Sequence, residues 1–244
     1  MLTAIVLVHD ESDCLPKCLQ SLDFADEIIA IVDNPTPAVT SILKSAKIRT
    51  IHHALNGDFA SHRNFALTQI SSEWVLFVDA DEIVSTQLAQ KISFAIQKPE
   101  VNGYLIHRVD YMWGHRLKYG DLSSVYLLRL ARTNSGIWVG RVHETWQITG
   151  QVESIDADLI HTPHPSMADF LHTINSYSSI RARELYDSHI TSSIWQIIFF
   201  PIAKFIYLWL FRQGIRDGIY GLIHALTMSF YSFLVRGKLY LLNG

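Results

Sequence analysis

The sequence predicts an α/β fold: a doubly wound, mostly parallel sheet with an antiparallel extension and a C-terminal helical tail. Three observations carry this. Leu2–Val8, Glu27–Val32 and Trp74–Val78 are apolar runs, rich in β-branched or aromatic residues and without Gly or Pro, as expected of strands covered on both faces. Helix-forming segments separate them, which makes the strand–helix–strand unit of a parallel sheet. Beyond Gly103 short strand-like runs follow one another directly, the mark of antiparallel pairing.

In chain order, Leu2–Val8 ends in His9-Asp10-Glu11, and Ser12 or Asp13 caps a helix from about Cys14 to Leu22. Glu27–Val32 ends at Asp33, followed by the rigid loop Asn34-Pro35-Thr36-Pro37. A helix over Val39–Ala46, a strand over Ile48–His52 and a turn at Asn56-Gly57-Asp58 come next. Ser61–Ile70 is a helix leading into the strand that ends in Asp79-Ala80-Asp81-Glu82. A helix over Thr86–Gln97 stops near Pro99 and Gly103. Tyr104–Val109, Tyr126–Ala131, Ile137–Val139, Thr145–Thr149 and Asp158–His161 are the short strands, and Phe170–Tyr186 is a polar helix. The expected division is a domain over 1–165 and a helical, membrane-associating region over 166–244.

Charge separates the same two parts. Residues 1–165 hold 13 Lys and Arg against 19 Asp and Glu, whereas 166–244 hold 7 against 4. An acidic body with a basic, apolar tail suits a domain held at an anionic membrane surface, and no basic stripe marks a nucleic-acid partner. From Trp195 to Phe211 only Gln196 and Lys204 are polar, and Ile219–Val235 carries no charge. Each run is about 17 residues, short of the roughly 20 a spanning helix needs, and Pro201 and Lys204 fall mid-run in the first. Two helices lying in the interface are therefore expected, with a re-entrant hairpin, two core helices or an oligomer interface as alternatives. Cys14 and Cys18 are too few for a disulfide framework or a zinc site and read as thiols of a reducing compartment. Met1–Val8 lacks a basic leader and runs straight into a strand, so the expected location is the cytoplasm, peripheral on the inner face of the cell membrane.

The acidic strand end is the chemical centre. Two aspartates one residue apart where a covered strand runs out fit a hard cation, Mg²⁺ or Mn²⁺, with oxygen ligands completed by substrate phosphates; the competing reading is a solvated acidic turn. Arg63 opens the preceding helix and can reach a pyrophosphate. His9, Glu11 and Asp33 sit at neighbouring strand ends, where a nucleotide would lie. Glu144, in Gly140-Arg141-Val142-His143-Glu144, is a candidate general base, against the alternative of an exposed turn glutamate. His161 is a candidate nitrogen ligand among twelve histidines. Met112–Asp121, with Trp113, His115, Arg116, Lys118 and Tyr119, is aromatic and basic enough to be an acceptor-contact surface.

Together these residues resemble an inverting family-2 glycosyltransferase with the GT-A fold, similar to bacterial enzymes that add sugars, often glucose, to lipopolysaccharide core. The resemblance runs through Cys18–Leu22, Ala25–Ile29, Arg63–Leu67, Asp79–Glu82, Leu128–Leu130, Arg141–Glu144, Leu159–His161, Asp217-Gly218 and Gly221-Leu222. It implies that Val8, His9, Glu11 and Asp33 contact base and ribose, and that Arg63 lies near the diphosphate. It implies further that Asp79 approaches the ribose or metal, Asp81 and His161 hold the metal, and Glu144 is the base. The implied partners are a nucleotide-sugar donor, a UDP-sugar foremost, a glycolipid or oligosaccharide acceptor, and the membrane surface. Two departures stand out: the family's Thr-Lys-Asn-Glu is Val8-His9-Asp10-Glu11 here, and its Ser-Gly-Ser-Thr-Asp after Asp33 is Asn34–Ala38. Two rivals stand beside this reading. A phosphohydrolase with an aspartyl nucleophile would carry its motif on the first strand and a paired-acid strand end elsewhere, and the chain has neither. A catalytically degenerate domain scaffolding envelope-glycan assembly is the other, motivated by the altered loop after Asp33.

Overall fold

The computed structural model describes residues 1–122, 125–141, 144–163 and 166–243; Val142 and His143 of the motif above lie outside the described residues. The elements are β1 (Leu2–Val8), α1 (Leu15–Gln20), β2 (Glu27–Val32), α2 (Pro37–Ala46), β3 (Arg49–His52), α3 (Phe59–Leu67) and β4 (Trp74–Asp79). There follow β5 (Glu82–Val84), α4 (Thr86–Ala95), β6 (Val101–Met112), β7 (His115–Arg116), β8 (Val125–Arg132), β9 (Gly136–Val139), β10 (Thr145–Ile148) and β11 (Gln151–His161). The chain ends in α5 (Met167–Asp187), α6 (Ile194–Ile206) and α7 (Gly218–Asn243). Two compact units result: Met1–Arg108 with Val125–His161, and Val109–Ser124 with Thr162–Gly244.

In the first unit the described strands run in the order β3-β2-β1-β4-β8-β6-β11-β5. β1 is parallel to both β2 and β4, and β2 to β3. β8 is antiparallel to β4 and β6, and β5 to β11. Register aligns three strand ends: Val8 lies opposite Val32, and Leu7 opposite Asp79. The parallel strands are buried on both faces because successive residues point to opposite sides. Ala4, Val6, Ala30, Val32, Leu76 and Val78 pack with Leu15, Leu19, Val39, Leu88 and Ile92. Ile5, Ile29, Ile31, Val75 and Phe77 pack with Ala60, Ala66, Trp138 and Trp146.

Local departures from the sequence expectations have local causes. α1 starts at Leu15 because Cys14, not Ser12 or Asp13, occupies the cap position, with no side-chain cap bond. α3 starts two residues early because the Asp58 carboxylate accepts the Ser61 N–H at 2.9 Å. β5 is three residues long, too short to show a period. β6 and β11 extend well beyond their apolar stretches, since backbone pairing with neighbours carries a strand through polar positions.

Asn64 fixes α3 to the strand pair β9–β10. Its amide donates to the Trp138 carbonyl at 2.8 Å and its oxygen accepts the Trp138 N–H at 2.9 Å, as a neighbouring strand would.

In the second unit, β7 folds back on β6, Tyr111 opposite Arg116 and Met112 opposite His115. α5 and α6 each begin in a capping box, Ser166 with Asp169 and Ser193 with Gln196. α6 continues through Pro201 into a π-helical turn, Tyr207–Phe211, and a 3₁₀ turn, Gly214–Asp217, leads to α7. Gly221 approaches that turn so closely that a Cβ would lie 2.1 Å from the Gly214 carbonyl oxygen. Ile194–Phe211 and Gly214–Asn243 are long and apolar enough to cross a membrane by length and composition. α6 buries none of its residues; Trp195 (68% exposed), Phe199 and Phe200 project outward, as does Phe211 in the turn beyond it.

Asn64→Ala leaves a strand N–H and C=O without partners and is expected to cost about 1–3 kcal/mol. A lowered urea midpoint at unchanged slope would measure it.

Candidate active site

The site is built where β1, β2 and β4 end, and the β5–β11 pair reaches it. At its centre the Asp79 carboxylate bridges two guanidinium groups. Arg63 Nη2 donates to Oδ1 at 2.9 Å and Arg129 Nη2 to Oδ2 at 2.5 Å. Arg63 Nε donates to Glu144 Oε1 at 2.8 Å, and Arg129 Nη2 also to Glu82 Oε1 at 3.0 Å. The other Glu82 oxygen accepts the Asp79 N–H at 3.0 Å. Arg63, Glu82 and Arg129 are buried. Arg63 is further held by the Trp138 and Phe77 rings, 4.7 and 5.5 Å from its Cζ.

These contacts set the protonation states. Burial opposes charge on Asp79, but Arg129 and Arg63 outweigh it and hold its carboxyl well below the usual carboxylate range. Burial also opposes charge on Arg129, and Asp79 and Glu82 reverse that. Glu82 goes the other way: burial pushes its carboxyl up against the pull of Arg129, with Asp79 adding to the rise.

Asp81 and His161 meet because β5 and β11 pair with His161 opposite Glu82. His161 Nε2 lies 3.3 Å from Asp81 Oδ2. Glu11 is close enough for the Asp81 charge to add to the rise that burial imposes on its carboxyl. Its Oε2 accepts the His9 N–H at 2.8 Å. His9 Nδ1 lies 2.7 Å from the Asp33 carbonyl and 3.5 Å from its carboxylate, and the Asp33 N–H donates to Val8 at 2.9 Å. Val8, His9, Glu11 and Asp33 thus lie at adjoining strand ends, while Arg63 of α3 contacts both Asp79, at the end of β4, and Glu144.

Sequence reasoning sends Asp79 to the ribose or the metal. In the structure each of its oxygens accepts from an arginine, and Asp81 is the acid beside His161. Among the described residues no group of three or more His, Cys, Asp or Glu side chains is arranged to hold a metal ion. The Asp81–His161 pair offers one oxygen and one nitrogen donor, a set that fits a Mg²⁺- or Mn²⁺-type ion only if substrate and water supply the rest.

Two features have no counterpart in the sequence reading. Arg129 stands in the run Leu128-Arg129-Leu130, which the resemblance includes without giving the arginine a role; only the pairing of β8 with β4 (Leu130 opposite Leu76) brings it to Asp79. His62, buried beside Arg63, has Nδ1 3.2 Å from His53 Nδ1. Burial, then the His53 charge, lowers its pKa to about 4.

Residues 3–146 match the family model described as glycosyl transferase family 2. The lipopolysaccharide core biosynthesis glycosyltransferase LpsC of Rhizobium meliloti is 28% identical over 98% of this chain and 92% of its own length. An uncharacterized glycosyltransferase of Rickettsia prowazekii is 20% identical over 98% of this chain and 86% of its own. Among solved structures, S. aureus TarS 1-349 superposes with a TM-score of 0.51 at 13% identity, over 99% of this chain and 91% of that one, a likeness of fold. The chain spans about half (49%) of a longer TarS chain, at a TM-score of 0.49.

His62 gives the fold an acid-sensitive window. The folded state keeps it neutral down to about pH 4, whereas its ordinary value is 6.5. The stability it contributes is therefore complete above 6.5 and lost as pH falls toward 4, approaching about 3 kcal/mol. Urea unfolding of wild type and His62→Gln across this range checks it: the variant's profile should be flatter.

Proposed function

The chain belongs to glycosyl transferase family 2, and we propose that it moves a hexose, glucose foremost, from a UDP-sugar to a glycolipid of lipopolysaccharide-core type, inverting the anomeric centre. The observation that carries this reading is the convergence of three parallel strand ends on one arginine-buttressed acidic site, the place where open α/β sheets take nucleotides. The 1–165 region is the catalytic domain in this reading. The 166–244 region holds it at the cytoplasmic face of the membrane, which the outward-facing Trp195, Phe199 and Phe211 support.

Val8, His9, Glu11 and Asp33 receive the nucleoside, the Asp33 carboxylate accepting from a ribose hydroxyl. Arg63 serves the diphosphate: among the described residues its Nη1 is buried without a partner, and a phosphate oxygen is the acceptor that such a donor lacks. Asp79 works through the two arginines it aligns. Asp81 and His161 would hold a divalent cation, which when bound neutralises charge on the departing diphosphate. Glu144 takes the proton of the acceptor hydroxyl as that oxygen bonds to the anomeric carbon and the bond to the phosphate oxygen breaks.

One contact favours a second role for Glu144. Its hydrogen bond to Arg63 Nε would orient the diphosphate-binding guanidinium whether or not it moves a proton.

Transfer assays with UDP-glucose and a core glycolipid test both. As a base, Glu144→Gln should lose about 100-fold or more in kcat with donor affinity unchanged. A parallel loss of donor affinity would make Glu144 a positioning residue, and retained turnover would clear it of both roles. Absence of transfer by the wild type from any nucleotide sugar would overturn the proposal.

A further inference from the structure

A cavity of about 680 Å³ lies wholly within the second unit, and the chemistry above makes no use of it. Its lining includes three cations, Arg116, Lys118 and Arg216, the rings of Tyr111 and Tyr119, and one carboxylate, Asp217. The carboxylate is already committed. Asp217 is buried, and its oxygens accept the Lys118 N–H at 3.0 and 3.2 Å and the Tyr119 N–H at 2.9 Å. It ties the segment after β7 to the turn before α7, so its charge is taken up by backbone donors.

The wall is ordered by its own contacts. The Arg216 guanidinium lies over the Tyr119 ring at 4.4 Å, and its Nη1 donates to Gln213 Oε1 at 2.9 Å. His115 stacks on Tyr220 with centroids 4.4 Å apart. The β6–β7 hairpin turns through Trp113 and Gly114, both at positive φ. Guanidinium groups beside an ammonium suit a tetrahedral or planar anion. Tyrosines present a ring face and a hydroxyl together, suited to a sugar, and the volume is within the roughly 300–1,000 Å³ of small-molecule sites.

The location in the chain says where that anion comes from. Arg216 sits in the turn between α6 and α7, flanked by Phe211 (76% exposed), Ile215 (52%) and Ile219 (60%). Residues on either side of a cavity cation are thus the apolar ones that a bilayer surface would cover.

We propose that this cavity binds a phosphate carried on the saccharide headgroup of the acceptor lipid. The inference rests on the glycosyl-transfer reading and adds to it the acceptor's anionic character and the residues that select it.

Flotation of the full chain with phosphatidylcholine vesicles tests it. The vesicles carry a diphosphorylated lipid A, its dephosphorylated form, or phosphatidylglycerol at equal charge. The wild type should prefer the phosphorylated glycolipid to the dephosphorylated one by about tenfold or more. Arg116→Gln/Arg216→Gln should abolish that preference while residual binding through α6 and α7 persists. Lys118→Gln, whose side chain is exposed and whose backbone N–H stays available to Asp217, should reduce the preference without disturbing thermal unfolding. Equal binding of wild type to both glycolipids, or a preference undiminished in both variants, overturns the proposal. Phosphatidylglycerol serving as well as the phosphorylated glycolipid overturns it too, since the cavity would then read membrane charge alone. No sugar is transferred in this assay, so its failure is separate from a failure of the transfer reaction, which nucleotide-sugar turnover by the same wild-type protein reports.

Discussion

One carboxylate between two guanidinium groups is the constraint on which the site depends. Asp79 ends β4, Arg63 comes from α3, Arg129 from β8, Glu82 from β5, and Glu144 from the segment before β10. Hydrogen bonds of 2.5–3.0 Å join all five. Arg63, Arg129 and Glu82 are buried, and removing a partner that leaves one of them uncompensated costs up to about 3–5 kcal/mol. The network therefore fixes the relation of five separate segments and holds the Arg63 guanidinium in place.

That rigidity suits the chemistry proposed for the site. Displacement at an anomeric carbon asks the protein to hold donor and acceptor in line more than to supply reactive groups of its own. A sheet edge in register, with Val8 beside Val32 and Leu7 beside Asp79, provides fixed points for a nucleotide. The second unit has different physics. Its helix α6 buries none of its residues and exposes large apolar ones, the kind of surface that marks an interaction site.

How much of this was legible in the sequence follows from the range of each signal. β1, β2 and the acidic end of β4 are local patterns and could be read directly, with bounds close to those observed. His161 could be named only as one candidate ligand among twelve histidines, because its meeting with Asp81 depends on β5, three residues long, pairing with β11 at the far edge of the sheet. Arg129 shows why the rest was hidden: its neighbours Leu128 and Leu130 mark a strand, but nothing in the run says that the strand lies against β4. The two arginine contacts of Asp79 were hidden for the same reason, since nothing local to the acidic strand end says that Arg63 and Arg129 from distant segments reach its oxygens. His62 reads as an ordinary helix residue until α3 is packed against the sheet.

The central claim is that the Asp81–His161 pair and Arg63 together receive a metal-bound nucleoside diphosphate at this sheet edge. Calorimetric titration of wild type and Asp81→Asn with UDP-glucose, with and without Mn²⁺, tests it most directly. The account predicts that Mn²⁺ strengthens donor binding to the wild type by at least about tenfold and that Asp81→Asn erases this gain. Donor affinity indifferent to Mn²⁺, or a gain that survives in Asp81→Asn, would contradict it.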